Sequence, residues 1–369
     1  MGIKQIDIQF SDQEGYPILV GHNYQEELVN RLSSDQTIGK KIAIITNPNL
    51  VDLYALPLKT VLDTKGFQVS IHPIPNGEVH KNLETVHLLC NDLLPLQLER
   101  KDSIIALGGG IVGDIAGFVA SILLRGISLF QVPTSLLAQV DAAIGGKTGV
   151  NHESGKNLIG SFYQPKLVFI DTSVLSTLDK RELKCGLAEI IKYGVIYDHT
   201  LFDFIANNKA EILQFDPVAH LSIWTTLIER SAHAKAVIVE KDEKESSIRE
   251  ILNFGHTIGH AIERGFNYDR YYHGEAIAIG MILASQLAYE EKILDKLSYE
   301  RITELIRYLG FDTSIPEGTH EQVLPHLMTD KKIKSGVIRF ILPIKIGETT
   351  VYNCPSLERI RNLFTGESS

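Results

Sequence analysis

Up to Asp171 the chain alternates short β-branched runs with amphipathic stretches, a rhythm that few folds accommodate. Residues 42–46, 67–74, 103–107, 128–133 and 167–170 read as strands, and stretches such as 79–94 between them read as helices. Strands that return in one direction through helices build an open parallel sheet, so a Rossmann-like α/β domain is expected first. After Asp171 the rhythm changes. Residues 178–194, 200–213, 218–240, 248–264 and 274–291 read as helices, separated in places by the charged turn at 241–247 and the Gly-, Asn- and Tyr-rich segment 265–273. A late hairpin is expected from 337–343 followed by 349–352. A chain of 369 residues exceeds one ordinary core. Two domains are therefore expected, an α/β domain over 1–178 and a mainly α-helical one over 179–369.

Composition narrows the class of ligand. With 44% hydrophobic and 22% charged residues this is an ordinary globular chain. A net charge of −9 argues against a broad nucleic-acid surface but leaves room for local basic clusters that hold a small anion. Cys90, Cys185 and Cys354 are odd in number and lack any C-x-x-C, so neither a disulfide framework nor a thiolate zinc site is expected. The start alternates like a strand and lacks the layout of a signal peptide, and the longest apolar runs, 115–124 and 276–288, are too short for a bilayer. The expected setting is cytoplasmic, with no membrane and no nucleic-acid partner.

Gly108-Gly109-Gly110-Ile111-Val112-Gly113-Asp114 follows a strand-like run and opens a helix-like one. It contains G-x-G-x-x-G in the context that a dinucleotide site requires, with N–H groups at the helix start available to a pyrophosphate. No acidic residue follows at about twenty positions to take the ribose hydroxyls, which departs from the usual fingerprint. Pro75-Asn76-Gly77-Glu78-Val79-His80-Lys81 offers a second loop of the same kind. Between 133 and 157 lie Thr134, Ser135, Asp141, Lys147, Lys156 and Asn157, the two lysines set among glycines where flexible loop backbone approaches a ligand closely. Gly145-Gly146-Lys147-Thr148 is not a P-loop, since that frame needs glycine where Asp141 stands.

In the second half Arg249, Asn253, His256 and His260 are four, three and four positions apart. At about 100° per residue they share an arc of roughly 60° on one helix face. A solvated face is normally built from Glu and Lys, so this stripe marks a site. The candidate metal ligands are Glu189, His256, His260 and His273, and three protein ligands with an open position make a catalytic zinc site. His256 and His260 at i, i+4 are placed to chelate together, but His256-Thr257-Ile258-Gly259-His260 lacks the Glu of a metalloprotease helix. Glu189 and Lys192 also fit an ordinary i, i+3 ion pair, and a lone His such as His273 is more often structural. Spacing leaves open which of the four is spared.

The segments GGGIVGDIAGF, RGI, QVPTSLLAQVDAAIGGKTGVN, GKNLIGSFYQP, LAEIIKYG, LNFGHTIGHAIE, HGEA and DKK, in this order over roughly residues 40–345, resemble the 3-dehydroquinate synthase family. The resemblance implies an NAD-binding α/β domain, a helical domain carrying metal, and an active site in the cleft between them. It assigns Glu189, His256 and His273 to zinc or, in some members, cobalt, and turns His260 to the substrate. It assigns NAD to Asn76, Gly77, Glu78, Val79, His80, Lys81, Gly110, Ile111, Val112, Gly113, Asp114, Thr134, Ser135, Lys147, Lys156 and the turn Val174, Leu175, Ser176, Thr177, to which Asp141 is added. Lys156, Asn157, Lys192, Lys235, Arg249, Asn253, His260 and a lysine of Asp330-Lys331-Lys332, taken as Lys331, are expected on the substrate. Arg125 matches a residue that reaches across a dimer interface, so a homodimer is expected. Asn47 stands where the adenine ribose would be held.

The implied substrate, 3-deoxy-D-arabino-heptulosonate 7-phosphate, carries a carboxylate, vicinal hydroxyls and a phosphate, which accounts for so mixed a residue set. The implied reaction runs through transient oxidation by NAD, loss of phosphate, re-reduction, ring opening and aldol closure, with no net redox. A sister sugar-phosphate cyclase is one rival, and a polyol dehydrogenase of the same architecture is another. A small neutral polyol would not need Lys147, Lys156, Lys192, Lys235 and Arg249. A binding module would not need an open metal site.

Overall fold

The structure, a computed structural model, describes residues 2–23, 25–245, 247–316, 318–327, 333–334 and 337–365. The chain divides into two compact units, Met1–Leu178 with Lys235–Lys244, and Asp179–Ala234 with Glu245–Ser369. Residues Lys235–Lys244, which lie past residue 178, belong to the first unit for a physical reason. Lys235 Nζ donates to the Asp141 carbonyl at 2.6 Å and to Asp141 Oδ1 at 2.8 Å, while Glu240 accepts from the Gln9 N–H at 2.7 Å and Glu243 from Gln164 Nε2 at 2.9 Å.

The first unit is built on a seven-stranded sheet in the order β1-β2-β9-β6-β5-β3-β4. Its strands are β1 (Lys4–Ile8), β2 (Tyr16–Gly21), β3 (Lys41–Thr46), β4 (Gln68–Pro73), β5 (Ser103–Gly108), β6 (Ser128–Pro133) and β9 (Leu167–Asp171). Only β1 pairs antiparallel, with β2; the other neighbours are parallel, as the alternating rhythm requires. Helices α1 (Gln25–Ser34) and α2 (Leu56–Thr64) contribute to one apolar cluster, and α3 (Leu83–Leu93) and α4 (Gly110–Ile122) to the other. Along β3, Ile42 and Ile44 join the first cluster, and Ala43 and Ile45 the second, which is the two-residue alternation of a strand covered on both faces.

Residues 147–162, expected as glycine-rich loops, form an antiparallel hairpin of β7 (Lys147–His152) and β8 (Gly155–Phe162). The glycines serve close strand contact: a Cβ on Gly160 would lie 2.0 Å from the Thr148 carbonyl oxygen.

The second unit is mainly helical. It holds α5 (Lys180–Ile196), α6 (His199–Asn207), the start of α7 (Leu221–Lys241), α8 (His256–Gly265), α9 (His273–Glu290), α10 (Lys296–Tyr308), α11 (Thr319–Leu327) and α12 (Leu357–Thr365). The expected late hairpin forms from β11 (Val337–Lys345) and β12 (Glu348–Cys354), and β10 (Ile333–Lys334) adds to β11. No described helix is long and apolar enough to cross a membrane.

The single helix expected over 248–264 does not form. Ile248–Asn253 is a 3₁₀ segment, Phe254 turns extended at ψ 125°, Gly255 is left-handed at φ 77°, and α8 starts at His256. The reason is packing against α9, because a Cβ on Gly255 would sit 2.6 Å from Met281 Cγ and 2.9 Å from the Ile277 carbonyl oxygen. Arg249 and Asn253 therefore lie on a different element from His256 and His260, and the one-helix stripe is corrected to two short helices meeting at a glycine.

Candidate metal centre and cofactor edge

Helix α5 is buried along almost its whole length after the first turn, and within that apolar run Glu189 and Lys192 are both buried. Charges so placed need partners. Glu189 Oε1 lies 3.2 Å from His256 Nε2 and 3.3 Å from His273 Nε2, and Lys192 Nζ contacts Glu189 Oε2. The i, i+3 ion pair therefore exists alongside the histidines and does not replace them.

Each histidine is fixed by its other nitrogen. His256 Nδ1 lies 3.0 Å from the Phe254 carbonyl, made available by the break before α8, and His273 Nδ1 lies 3.4 Å from Glu263 Oε2. With Nδ1 so engaged on each ring, both Nε2 atoms face the Glu189 carboxylate. Neither Glu189 oxygen, though buried, accepts a hydrogen bond of good geometry. Two imidazole nitrogens and a buried carboxylate oxygen converging without directed hydrogen bonds fit a divalent cation, and a carboxylate behind a ligating histidine is its usual support. The ligand atoms of Glu189, His256 and His273 all lie within 4.8 Å of one another.

The protonation pattern follows from the same contacts. Burial works to raise the Glu189 carboxyl, but Lys192 and His256 hold it well below the usual carboxylate range. Burial lowers His256. Burial works against protonated His273 too, but Glu189 and Glu263 push it up to about 10. One imidazole is thus ready to ligate, and the other must first lose a proton.

His260 stands beside this centre, its ring centroid 5.2 Å from that of His256 and 5.9 Å from that of His273. His260, Glu263 and His273 make a second set of potential ligands within 4.8 Å, so geometry alone keeps His260 in play. Arg249 is almost wholly buried, Asn253 is half-buried, and Lys331 lies outside the described residues. Glu263 was not anticipated, since a glutamate late in a helix reads as solvated; its i, i+3 spacing from His260 was the available signal.

In the first unit the cofactor candidates gather at one edge. Parallel β3, β4, β5, β6 and β9 end at Thr46, Pro73, Gly108, Pro133 and Asp171, with Thr46 opposite Pro73 and Gly108 opposite Pro133. Asn76–Lys81, Gly110–Asp114, Thr134, Ser135 and the 3₁₀ turn Thr172–Thr177 follow those ends directly. The chain runs from β3 outward to β4 and then back past β3 to β5, so the glycine turn lies at a topological switch point, the usual place for a nucleotide. Gly109 precedes α4 without a side-chain cap, the state in which a helix start can take a pyrophosphate, and Gly110 packs closely, since a Cβ on it would lie 3.1 Å from Ala142 Cβ.

The remaining candidates are joined by polar contacts. Lys81, buried, contacts Asp114 and donates to Asn157 Oδ1 at 2.6 Å, and Lys156 Nζ lies 3.8 Å from Glu78. Burial works to lower Lys81, but Asp114 and Glu78 raise it, so it stays a cation. Tyr54, not anticipated, pins the 3₁₀ turn through Thr177 Oγ1 at 2.6 Å. Arg125 is exposed and left-handed at φ 64°.

Comparison with known proteins decides the family. Residues 71–185 match the 3-dehydroquinate synthase N-terminal family and residues 186–333 the 3-dehydroquinate synthase C-terminal family. The chain belongs to the 3-dehydroquinate synthase family. The 3-dehydroquinate synthase of Desulforamulus reducens is 43% identical over 357 residues, covering 95% of this chain and 96% of its own, and that of Rippkaea orientalis is 47% identical over 327, covering 88% and 89%. Among solved structures, the 2-epi-5-epi-valiolone synthase of Streptomyces hygroscopicus subsp. jinggangensis, with NAD+ and Zn2+ bound, superposes with a TM-score of 0.87 at 26% identity over 97% of this chain and 98% of its own. A 2-deoxy-scyllo-inosose synthase complexed with carbaglucose-6-phosphate, NAD+ and Co2+ gives 0.85 at 27% identity, over 98% and 100%.

Proposed function

We propose that the chain is an NAD- and metal-dependent lyase, the 3-dehydroquinate synthase that converts 3-deoxy-D-arabino-heptulosonate 7-phosphate to 3-dehydroquinate and phosphate, the second step of the shikimate pathway. The observation that carries this reading is the family match through both halves of the chain together with the convergence of His256 and His273 on buried Glu189. Glu189, His256 and His273 would hold zinc or cobalt, and the carboxyl edge of the sheet would hold NAD. When bound, the metal supplies Lewis acidity at a ring hydroxyl and NAD supplies reversible redox capacity.

The chain's own residues do the rest. Lys156, Lys192, Lys235 and Arg249 supply charge for the substrate phosphate and carboxylate, and the same cations stabilise the phosphate as it leaves. Arg249 would take the carboxylate, since a guanidinium is suited to a planar two-oxygen group. Asn157 and Asn253 orient hydroxyls, and His260 relays a proton beside the metal ligands. Thr134, Ser135, Asp141, Lys147 and the turn Val174–Thr177 complete the cofactor's surroundings. A lysine of Asp330-Lys331-Lys332 completes the substrate's set, a homodimer brings Arg125 to a second copy, and the setting is cytoplasmic.

With catalytic NAD and zinc, the purified chain is expected to release one phosphate per heptulosonate phosphate without lasting NADH absorbance. Accumulation of NADH with a simple polyol, and no phosphate, would mean a dehydrogenase instead.

A further inference from the structure

The β7–β8 ladder is irregular at one place, and that place joins the two groups of residues just assigned to cofactor and substrate. Val150 pairs with Ile159 and His152 with Gly155, so Asn151 alone faces Lys156, Asn157 and Leu158 of the opposite strand. Bulges of this kind re-aim side chains, and they recur beside active sites. Asn157 takes the left-handed conformation at φ 54°, which asparagine tolerates better than most residues.

Asn151 fills the gap with its own polar groups. Its Oδ1 accepts from the Asn157 N–H at 2.9 Å, where a regular ladder would offer a carbonyl. Its Nδ2 donates to Glu78 Oε1 at 2.8 Å, and its backbone N–H donates to the Lys81 carbonyl at 2.8 Å. Lys81 closes the ring by donating to Asn157 Oδ1 at 2.6 Å and contacting Asp114. A single amide thus ties the loop after β4 to the bulge of β8.

We propose that Asn151 is a positioning residue that sets Glu78 and Lys81 for the cofactor by holding them to the Asn157 bulge. This rests on the cofactor reading of the sheet edge, and it concerns a residue that reading did not include. The amide donates in one direction and accepts in the other, and only one of those polarities suits Glu78. Asn151→Asp keeps the shape and the acceptor for the Asn157 N–H but sets a carboxylate against the Glu78 carboxylate. A charged acceptor facing another acceptor repels, and the loop shifts.

The test is NAD affinity, read by calorimetry on the full chain without substrate, so it does not depend on whether the chain releases phosphate. Asn151→Asp is expected to weaken NAD binding about tenfold, the coupling usual for groups in one hydrogen-bond network. Glu78→Gln alone sets the baseline, because Glu78 itself belongs to the cofactor set; with its carboxylate gone, Asn151→Asp faces a donor, and the double variant is expected to bind NAD within about twofold of Glu78→Gln alone. A merely structural role of Asn151 would carry the same tenfold loss onto the Glu78→Gln background. NAD binding by Asn151→Asp within twofold of the unchanged chain, or a double variant about tenfold weaker than Glu78→Gln alone, would overturn the proposal.

Discussion

The two units prepare ligand sites by opposite means. At the sheet edge of the first, the elements are strand ends, a bare glycine turn and backbone N–H groups, and the polar side chains are mostly half-exposed. In the second, three side chains from three helices meet at a carboxylate with no exposure, each supported by a further contact. A site made of backbone is held by the fold itself, and single side chains modulate it. One made of buried charges depends on every member, because each balances the others.

The largest effect is therefore expected from Glu189→Ala. It leaves Lys192 buried without its carboxylate, which costs about 3–5 kcal/mol when one partner of a buried pair is removed. Metal content measured by elemental analysis should fall to background and the melting temperature should drop; retained metal would break the contrast between the units.

Next come the histidines. His273→Ala is expected to empty the metal site, while His260→Ala largely keeps the metal and loses turnover. If His260→Ala empties the site instead, the i, i+4 chelate with His256 is the true one.

The pH dependence is smaller and has a defined sign. His273 in the metal-free chain titrates at about 10, so at neutral pH the metal must displace a proton from it. Metal affinity should rise with pH, by up to about tenfold per unit, until that titration is passed. The metal-free fold has the reverse dependence. An unfolded histidine titrates near 6.5, so the stability contributed by the His273 proton is complete below that value and disappears as pH rises through about 10. Competition with a chelator across pH, and thermal melts of the apo chain, read the two separately; a flat profile in both would contradict the contacts of His273.

The smallest effect belongs to the sheet edge. Ser135 Oγ accepts from the Ala138 N–H at 3.3 Å, and its loss in Ser135→Ala should change NAD affinity by no more than about fivefold, or roughly 1 kcal/mol. A loss of a hundredfold would place the weight on side chains there too.

What was legible in the sequence follows the same division. The parallel sheet could be read from β-branched runs at 42–46 and 103–107, because a strand buried on both faces leaves a composition signal. The loops at the strand ends were legible because each follows such a run. The hairpin of β7 and β8 was not, since Gly149 and Gly160 resemble loop residues until the partner backbone that requires them is known. Nor was the break at Gly255, because 3.6-residue spacing continues across it in the sequence while the demand for glycine comes from Met281 and Ile277, more than twenty positions away. Glu189 and His273 could be named singly, but their meeting is a tertiary fact.

The left-handed Gly255 has a consequence for how such a site changes over generations. Because Arg249 and Asn253 ride on a turn whose register is independent of α8, replacing them need not rotate His256 away from Glu189. On the proposed assignment, substrate preference can drift while the inorganic part of the machinery stays inherited.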